Sequence, residues 1–290
     1  MSVSNLYDSQ SFVGQIRSYH ELISHVDSLD SSALGEQRLR KPVIHGLLRR
    51  GETMSLIAPY DTGKSWMAID LALAVATGDN WLGDMPCEAG RVLFIDSELH
   101  AETFAQRMRT VAEAKQIGLD RISDRIDVSI LRCSALGDLR IGDYLDLIKA
   151  KSYDVVIIDS FEPFMLTKSK HIESLAPDQS SILYHLANEM GSALVLVQHS
   201  TLSNEPNRLT GGIAKAKGSQ SLDTDTVVTL RAHHVDNAVV MQTASRSWPA
   251  QQPRCLRWQF PVWQPDASLC TAKPGSGDER KFRARAIRGY

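Results

Sequence analysis

Lys64 and Ser65 close the segment APYDTGKS, Ala58 to Ser65, which joins two unlike runs. Before it lies MSLIA, Met54 to Ala58, short and apolar; after it lies WMAIDLALAVATG, with helical periodicity and a stop at Gly78. A glycine turn between a strand and a helix N-terminus presents successive backbone N–H groups to an anion. Lysine there reaches the β- and γ-phosphates of a nucleotide, and a Ser or Thr hydroxyl ligates Mg2+. Pro59, Tyr60, Asp61, Thr62 and Gly63 would form the body of such a loop, and Trp66 would open its helix. Ala58 stands where G-x-x-x-x-G-K-[ST] has its first glycine, so the tight turn expected there falls on a residue with a Cβ. An ordinary strand-turn-helix corner would account for the same residues without a ligand.

Three further segments carry polar residues at the ends of apolar runs. RVLFIDSELH ends in Asp96, Ser97 and Glu98. Parallel sheets bind ligands in the crevice at the carboxyl ends of their strands, where Glu98 would polarise a water attacking a γ-phosphate. Alternatively, Asp96 or Ser97 caps a helix starting near Ala101, and Glu98 is a first-turn acid favoured by the helix dipole. YDVVIIDS has the Walker B form: four apolar residues, Val155 to Ile158, deliver Asp159 to the neighbourhood of Mg2+ at Ser65. SALVLVQHS carries Gln198 and His199 at its tip, either to sense a γ-phosphate by hydrogen bonding or to be satisfied by nearby backbone.

Positioning these groups requires strands, expected at Met54–Ala58, Arg91–Asp96, Asp127–Leu131, Val155–Asp159, Ala193–Gln198, Thr226–Arg231, Val239–Thr243 and Cys255–Gln259. Continuous apolar runs such as VVII and ALVLV suit strands covered on both faces, and their alternation with helical stretches implies a mostly parallel twisted sheet flanked by helices. The last strands, joined by short turns, are expected to be antiparallel at the C-terminal edge. Residues 1–42 read as an N-terminal arm or linker with a short helix near Ser18 to Val26, residues 43–263 as the α/β core, and residues 264–290 as a flexible basic tail.

Composition narrows the class. A chain of 290 residues that is 43% hydrophobic can bury a large core. Cys87, Cys133, Cys255 and Cys270 are dispersed, which suggests neither a disulfide framework nor a zinc site and fits a reducing cytoplasm. The N-terminus lacks a signal pattern, and no run approaches the ~20 apolar residues of a membrane span, so a soluble cytoplasmic protein is expected. With net charge −2, any nucleic-acid binding must use a local patch. The basic clusters at Arg38, Arg40 and Lys41, at Arg49 and Arg50, and in the tail read as solvated, and His185, His233 and His234 as ordinary surface or core histidines.

The order of phosphate loop, strand-end glutamate, Walker B and strand-end Gln or His resembles the RecA-like ATPases, and within them the RepA-type hexameric replicative helicases that plasmids encode. The resemblance spans Val43 to Trp263 and implies ATP and Mg2+ as cofactors. It implies Lys64 and Ser65 on the nucleotide, Glu98 as catalytic base, Asp159 on Mg2+ and His199 at the sensor position. IAKAKGSQSLDTDTVVTL resembles the segment that carries a finger for the neighbouring subunit's nucleotide, which points to Lys217. MQTASRSWPAQQPRCLRWQF resembles a strand-turn-strand with a Lys-x-Arg pair, of which Arg246 matches while Ala244 takes the lysine position. A ring homo-oligomer, a hexamer in this family, follows from that resemblance. So does single-stranded DNA in a central channel, met by Lys168, Lys170, His171, Arg208, Lys215 and Lys217. An ATP-controlled regulatory or assembly module of similar fold is the rival reading, and a nucleotide-binding protein without turnover is a third.

Overall fold

A computed structural model describes residues 40–132, 151–161, 179–199, 224–249 and 251–269. The chain divides into the units Met1–Lys41 and Pro42–Tyr290, and every described element belongs to the second. Its centre is a nine-stranded sheet in the order β13-β12-β11-β10-β3-β9-β8-β6-β7. The strands are β3 (Thr53–Ala58), β6 (Val92–Asp96), β7 (Ile126–Ile130), β8 (Val155–Asp159), β9 (Ala193–His199), β10 (Thr226–Ala232), β11 (Ala238–Ser245), β12 (Arg254–Gln259) and β13 (Val262–Pro265). From β10 across to β7 all neighbours are parallel. From β10 outward to β13 they are antiparallel. Two small ribbons, β1 (Pro42–Ile44) with β2 (Leu48–Arg49) and β4 (Asn80–Trp81) with β5 (Met85–Pro86), touch through an Ile44–Cys87 bridge.

The burial of successive strand residues explains the layers. In β8, Val155 and Ile157 join one core while Val156 and Ile158 join another; in β9, Ala193, Val195 and Val197 alternate likewise with Leu194 and Leu196. Both faces are therefore covered, as parallel strands require. One face packs α1 (Lys64–Thr77) and α2 (Ala101–Ala114), and the other packs α3 (Gln179–Met190) through Leu183, Leu186, Ala187 and Met190. α1 is buried from Met67 to Ala76 and ends where Gly78, at φ 77°, donates its N–H to the Ala74 carbonyl. That left-handed cap is why the apolar period stops at a glycine. Asp70, the one acid inside that helix, is bonded by Lys115 and accepts the Leu82 N–H.

Each expected strand forms, with no end displaced by more than two residues. β13, Val262–Pro265, was not expected as a strand. Arg49 also corrects the sequence reading. Rather than lying solvated, it is buried in β2, its guanidinium 3.6 Å from the Trp248 ring centroid, paired with Glu52 and donating to the Ser247 carbonyl. Arg50 pairs with Asp154. Cys87 and Cys255 are buried free thiols, while Cys133 and Cys270 lie outside the described residues. Among the described residues no helix is long and apolar enough to cross a membrane.

Candidate functional site

Strand register brings the polar tips together. Ala58 pairs with His199 across β3 and β9, Asp96 pairs with Asp159 across β6 and β8, and Ile158 pairs with Leu196 across β8 and β9. Because all four strands run the same way, their carboxyl ends share one rim, at which a parallel sheet holds its ligands. The tips of β6 and β8 are tied further: Ser97 donates its backbone N–H to the Asp159 carbonyl at 2.7 Å, and its hydroxyl bonds the Ser160 backbone at 3.1 Å. The Asp159–Ser160 peptide bond is cis.

The loop after β3 turns at Asp61, φ 61°, and at Gly63, φ 75°, which immediately precedes α1. Ala58 is the buried last residue of β3, so the special backbone geometry expected at Ala58 sits later in the loop. A Cβ at Gly63 would also come within 3.2 Å of Trp263 Nε1, and both the φ and that crowding favour glycine. Lys64, buried, aims its ammonium into the turn and donates to the carbonyls of Ala58 at 3.0 Å and Pro59 at 2.7 Å. Thr62 bonds the Pro59 carbonyl and closes the loop on itself. Tyr60 is 68% exposed and lies flat on His199, centroids 3.9 Å apart with planes 12° off parallel.

Opposite the lysine stand three carboxylates. Asp159 accepts a hydrogen bond from Ser65 and is pushed up to about 7 by burial, with the nearby Asp96 and Glu98 charges adding and Ser65 and Lys64 opposing. Asp96 is raised by burial against two backbone bonds, from Leu99 N at 2.6 Å and Glu98 N at 2.9 Å. It shapes the turn leading to α2, whose N-cap is His100. Glu98 goes the other way. Its bond to His199, 3.2 Å from Nε2 to Oε1, is the largest influence holding its pKa below the ordinary value. Arg132 fixes the Glu98 backbone by donating to its carbonyl.

Such a cluster of carboxylates, Asp96 and Asp159 buried and Glu98 exposed, fits a cation. Mg2+ takes few protein ligands, one or two carboxylates plus substrate phosphates and waters, and the adjoining Ser65 hydroxyl and Asp159 carboxylate suit that donor set. Among the described residues no group of three His, Cys, Asp or Glu side chains gathers as an all-protein metal cage.

Not all the residues singled out converge here. Gln198 is buried beneath the rim and donates to Ser55 Oγ at 3.0 Å, so only His199 of that pair meets Glu98. Arg246, just after β11, donates to Tyr184 Oη at 2.8 Å on α3, with its guanidinium 5.7 Å from that ring. Lys217 and the basic residues Lys168, Lys170, His171, Arg208 and Lys215 lie outside the described residues. One residue was overlooked. Arg107 on α2 feels the charges of Asp159, Asp96 and Glu98, and its guanidinium lies 5.0 Å from the Trp66 ring centroid; burial lowers its pKa. Its signal was an arginine inside the apolar stripe Phe104, Met108, Val111, at i+3 from Phe104.

Residues 20–205 match the family described as an AAA domain. The chain belongs to the AAA domain family. No curated protein matches it. Among solved structures this AAA domain is similar to a KaiC-like protein from the hyperthermophilic archaeon Pyrococcus horikoshii OT3, at 14% identity and a TM-score of 0.51, covering 77% of this chain and 93% of that one. It is also similar to the RadB recombinase, at 16% identity and a TM-score of 0.48, over 73% of this chain and 89% of that one. At such identity the first likeness speaks to the fold: the AAA domain here has the RecA-like arrangement of a mostly parallel sheet between helices, with antiparallel strands at one edge.

Proposed function

We propose that this AAA domain is a Mg2+-dependent ATPase and that it works as a ring-forming replicative DNA helicase of the RepA type. The observation that carries the ATPase reading is the convergence of Lys64, Ser65, Asp159, Glu98 and His199 on one rim of the sheet. Lys64 leaves the loop carbonyls for the β/γ-phosphates, and backbone N–H groups at the start of α1 take the remaining phosphate oxygens. Ser65 and Asp159 hold Mg2+, which supplies charge neutralisation on the phosphates when bound. Glu98, kept ionised by its bond to His199, orients a water and accepts its proton, while Arg107 balances charge beside it.

The helicase reading is supported by the order of parts along the chain and by the likeness of the segments around Lys217 and Arg246 to finger-bearing segments. A positive finger from a neighbouring subunit is worth on the order of 10³–10⁵ in phosphoryl transfer, so assembly would be part of the mechanism. Channel loops bearing Lys168, Lys170, His171, Arg208 and Lys215 would meet single-stranded DNA in the cytoplasm.

The test is ATP turnover with and without single-stranded DNA at low salt, followed by unwinding of a forked duplex by the same preparation. Expected are stimulation that falls steeply with salt, as counterion release requires, and strand displacement that Lys64→Ala abolishes together with turnover. Normal turnover in Lys64→Ala would sink the nucleotide assignment. Turnover without stimulation or unwinding would leave an ATP-controlled regulatory module.

A further inference from the structure

Four aromatic side chains gather beside the phosphate loop, contributed by α1 and the β12–β13 hairpin. Trp66, in the first turn of α1, lies 5.4 Å from Phe260 and 6.2 Å from Trp258, and Trp258 lies 5.1 Å from Trp263. Trp258, Phe260 and Trp263 all belong to the β12–β13 hairpin, at the end of the sheet opposite the strands that carry the carboxylates. The hairpin reaches the loop itself, since a Cβ at Gly63 would meet both Trp263 and Trp258. Phe260 is 53% exposed. It meets Trp66 at 67° and Trp258 at 78°, so neither indole lies flat on it and a ring face is left open. Of the large apolar side chains that stay exposed among the described residues, Tyr60 belongs to the loop and stacks on His199, and Phe260 meets Trp66 just after it.

A second observation points to a ligand. Trp263 is 3% exposed, its Nε1 has no hydrogen-bond partner, and it faces Gly63. Such a buried donor is costly unless something accepts from it. If the terminal phosphate lies beside Glu98, the phosphate chain leaves the loop past the first turn of α1, and the nucleoside end arrives at these rings.

We infer that Trp66, Trp258 and Phe260 form a shelf on which the purine base of the bound nucleotide stacks, and that the shelf selects purines as a class without distinguishing adenine from guanine. This rests on the nucleotide reading of the Ala58–Ser65 loop. Stacking needs only a π-face, which every base has and which is larger in purines, and it is therefore tolerant of base identity. Distinguishing two purines takes hydrogen bonds to the base edge, which stacking on ring faces does not supply.

The full chain is titrated, with Mg2+, against ATP, GTP, CTP and inorganic tripolyphosphate, as wild type and as Phe260→Ala. ATP and GTP should bind within roughly tenfold of each other and more tightly than CTP or tripolyphosphate. Phe260→Ala should weaken ATP and GTP by roughly tenfold, the effect of losing one base–aromatic stack, and leave tripolyphosphate unchanged. In the wild type, tryptophan fluorescence should respond to ATP and not to tripolyphosphate, a readout that needs no variant. The shelf is overturned if Phe260→Ala leaves ATP unchanged or weakens tripolyphosphate equally, if one purine is preferred a hundredfold, or if fluorescence responds to both ligands alike. Tripolyphosphate binding as tightly as ATP would overturn the shelf and leave the loop assignment standing. Failure of the wild type to bind either would overturn both.

Discussion

His199 Nε2 stands 3.2 Å from Glu98 Oε1, and the imidazole making that contact is covered by the Tyr60 ring from the phosphate loop. Tyr60, His199 and Glu98 thus form one contact chain, so a displacement of Tyr60 would reach Glu98. Glu98→Gln should keep MgATP affinity and lower turnover by about 10²–10⁴, because an amide fills the same space but cannot take a proton. His199→Ala removes the main influence holding the Glu98 pKa down, so that pKa should rise. The base acts only when ionised, so the acid limb of the turnover profile should move to higher pH. Turnover measured across pH decides this; an unmoved limb would separate His199 from Glu98.

Arg107 offers a different kind of test, since its neighbours are the three carboxylates and the Trp66 ring. Arg107→Met removes the cation beside Asp96, Glu98 and Asp159 while keeping most of the volume packed on Trp66. Turnover should fall about 10²-fold, the scale for losing one preorganised charge-stabilising donor, with the melting temperature little changed. Arg107→Lys should recover only part, as a point charge replaces a planar fork.

Stability should depend on Lys115, which reaches from the end of α2 to Asp70 inside α1. Lys115→Met strands a buried carboxylate and should cost about 3–5 kcal/mol in denaturant unfolding. Burial holds the Asp70 pKa above its unfolded value, so this carboxyl favours the folded state below about pH 4 and that contribution is lost as pH rises. The Lys115→Met deficit should therefore be larger at neutral pH than in acid. A deficit independent of pH would mean that packing, not charge, is the role of Lys115.

If a finger acts across a subunit boundary, mixing Lys64→Ala protein with an Arg246→Ala or Lys217→Ala protein should restore part of the turnover. Some interfaces would then pair an intact loop with an intact finger. Exchange of subunits without any recovery, or full turnover at a monomeric mass, would argue for a self-contained site.

The apolar runs ending in Asp96, Asp159 and His199 were legible because strands buried on both faces tolerate no other pattern, and their polar tips mark the rim. What was not legible has equally physical causes. Val262 and Trp263 belong to a short edge strand without alternating burial, and four residues with a closing proline resemble a loop more than a ladder. The burial of Arg49 and the pairing of Arg107 with Asp159 were invisible because Trp248 and Asp159 are remote from them in sequence. At Ala58 the missing glycine drew attention to the wrong residue, since the loop bends at Asp61 and Gly63.

The packing of Trp263 and Trp258 on Gly63 joins residues separated by nearly the whole core. A chain emerging from the ribosome therefore carries its phosphate loop early but cannot seat it until the final hairpin has been made. Contacts of such long range slow folding and leave the intermediate open to wrong partners. Truncation before β12 would thus be expected to lose the shape of the loop even though every loop residue remains.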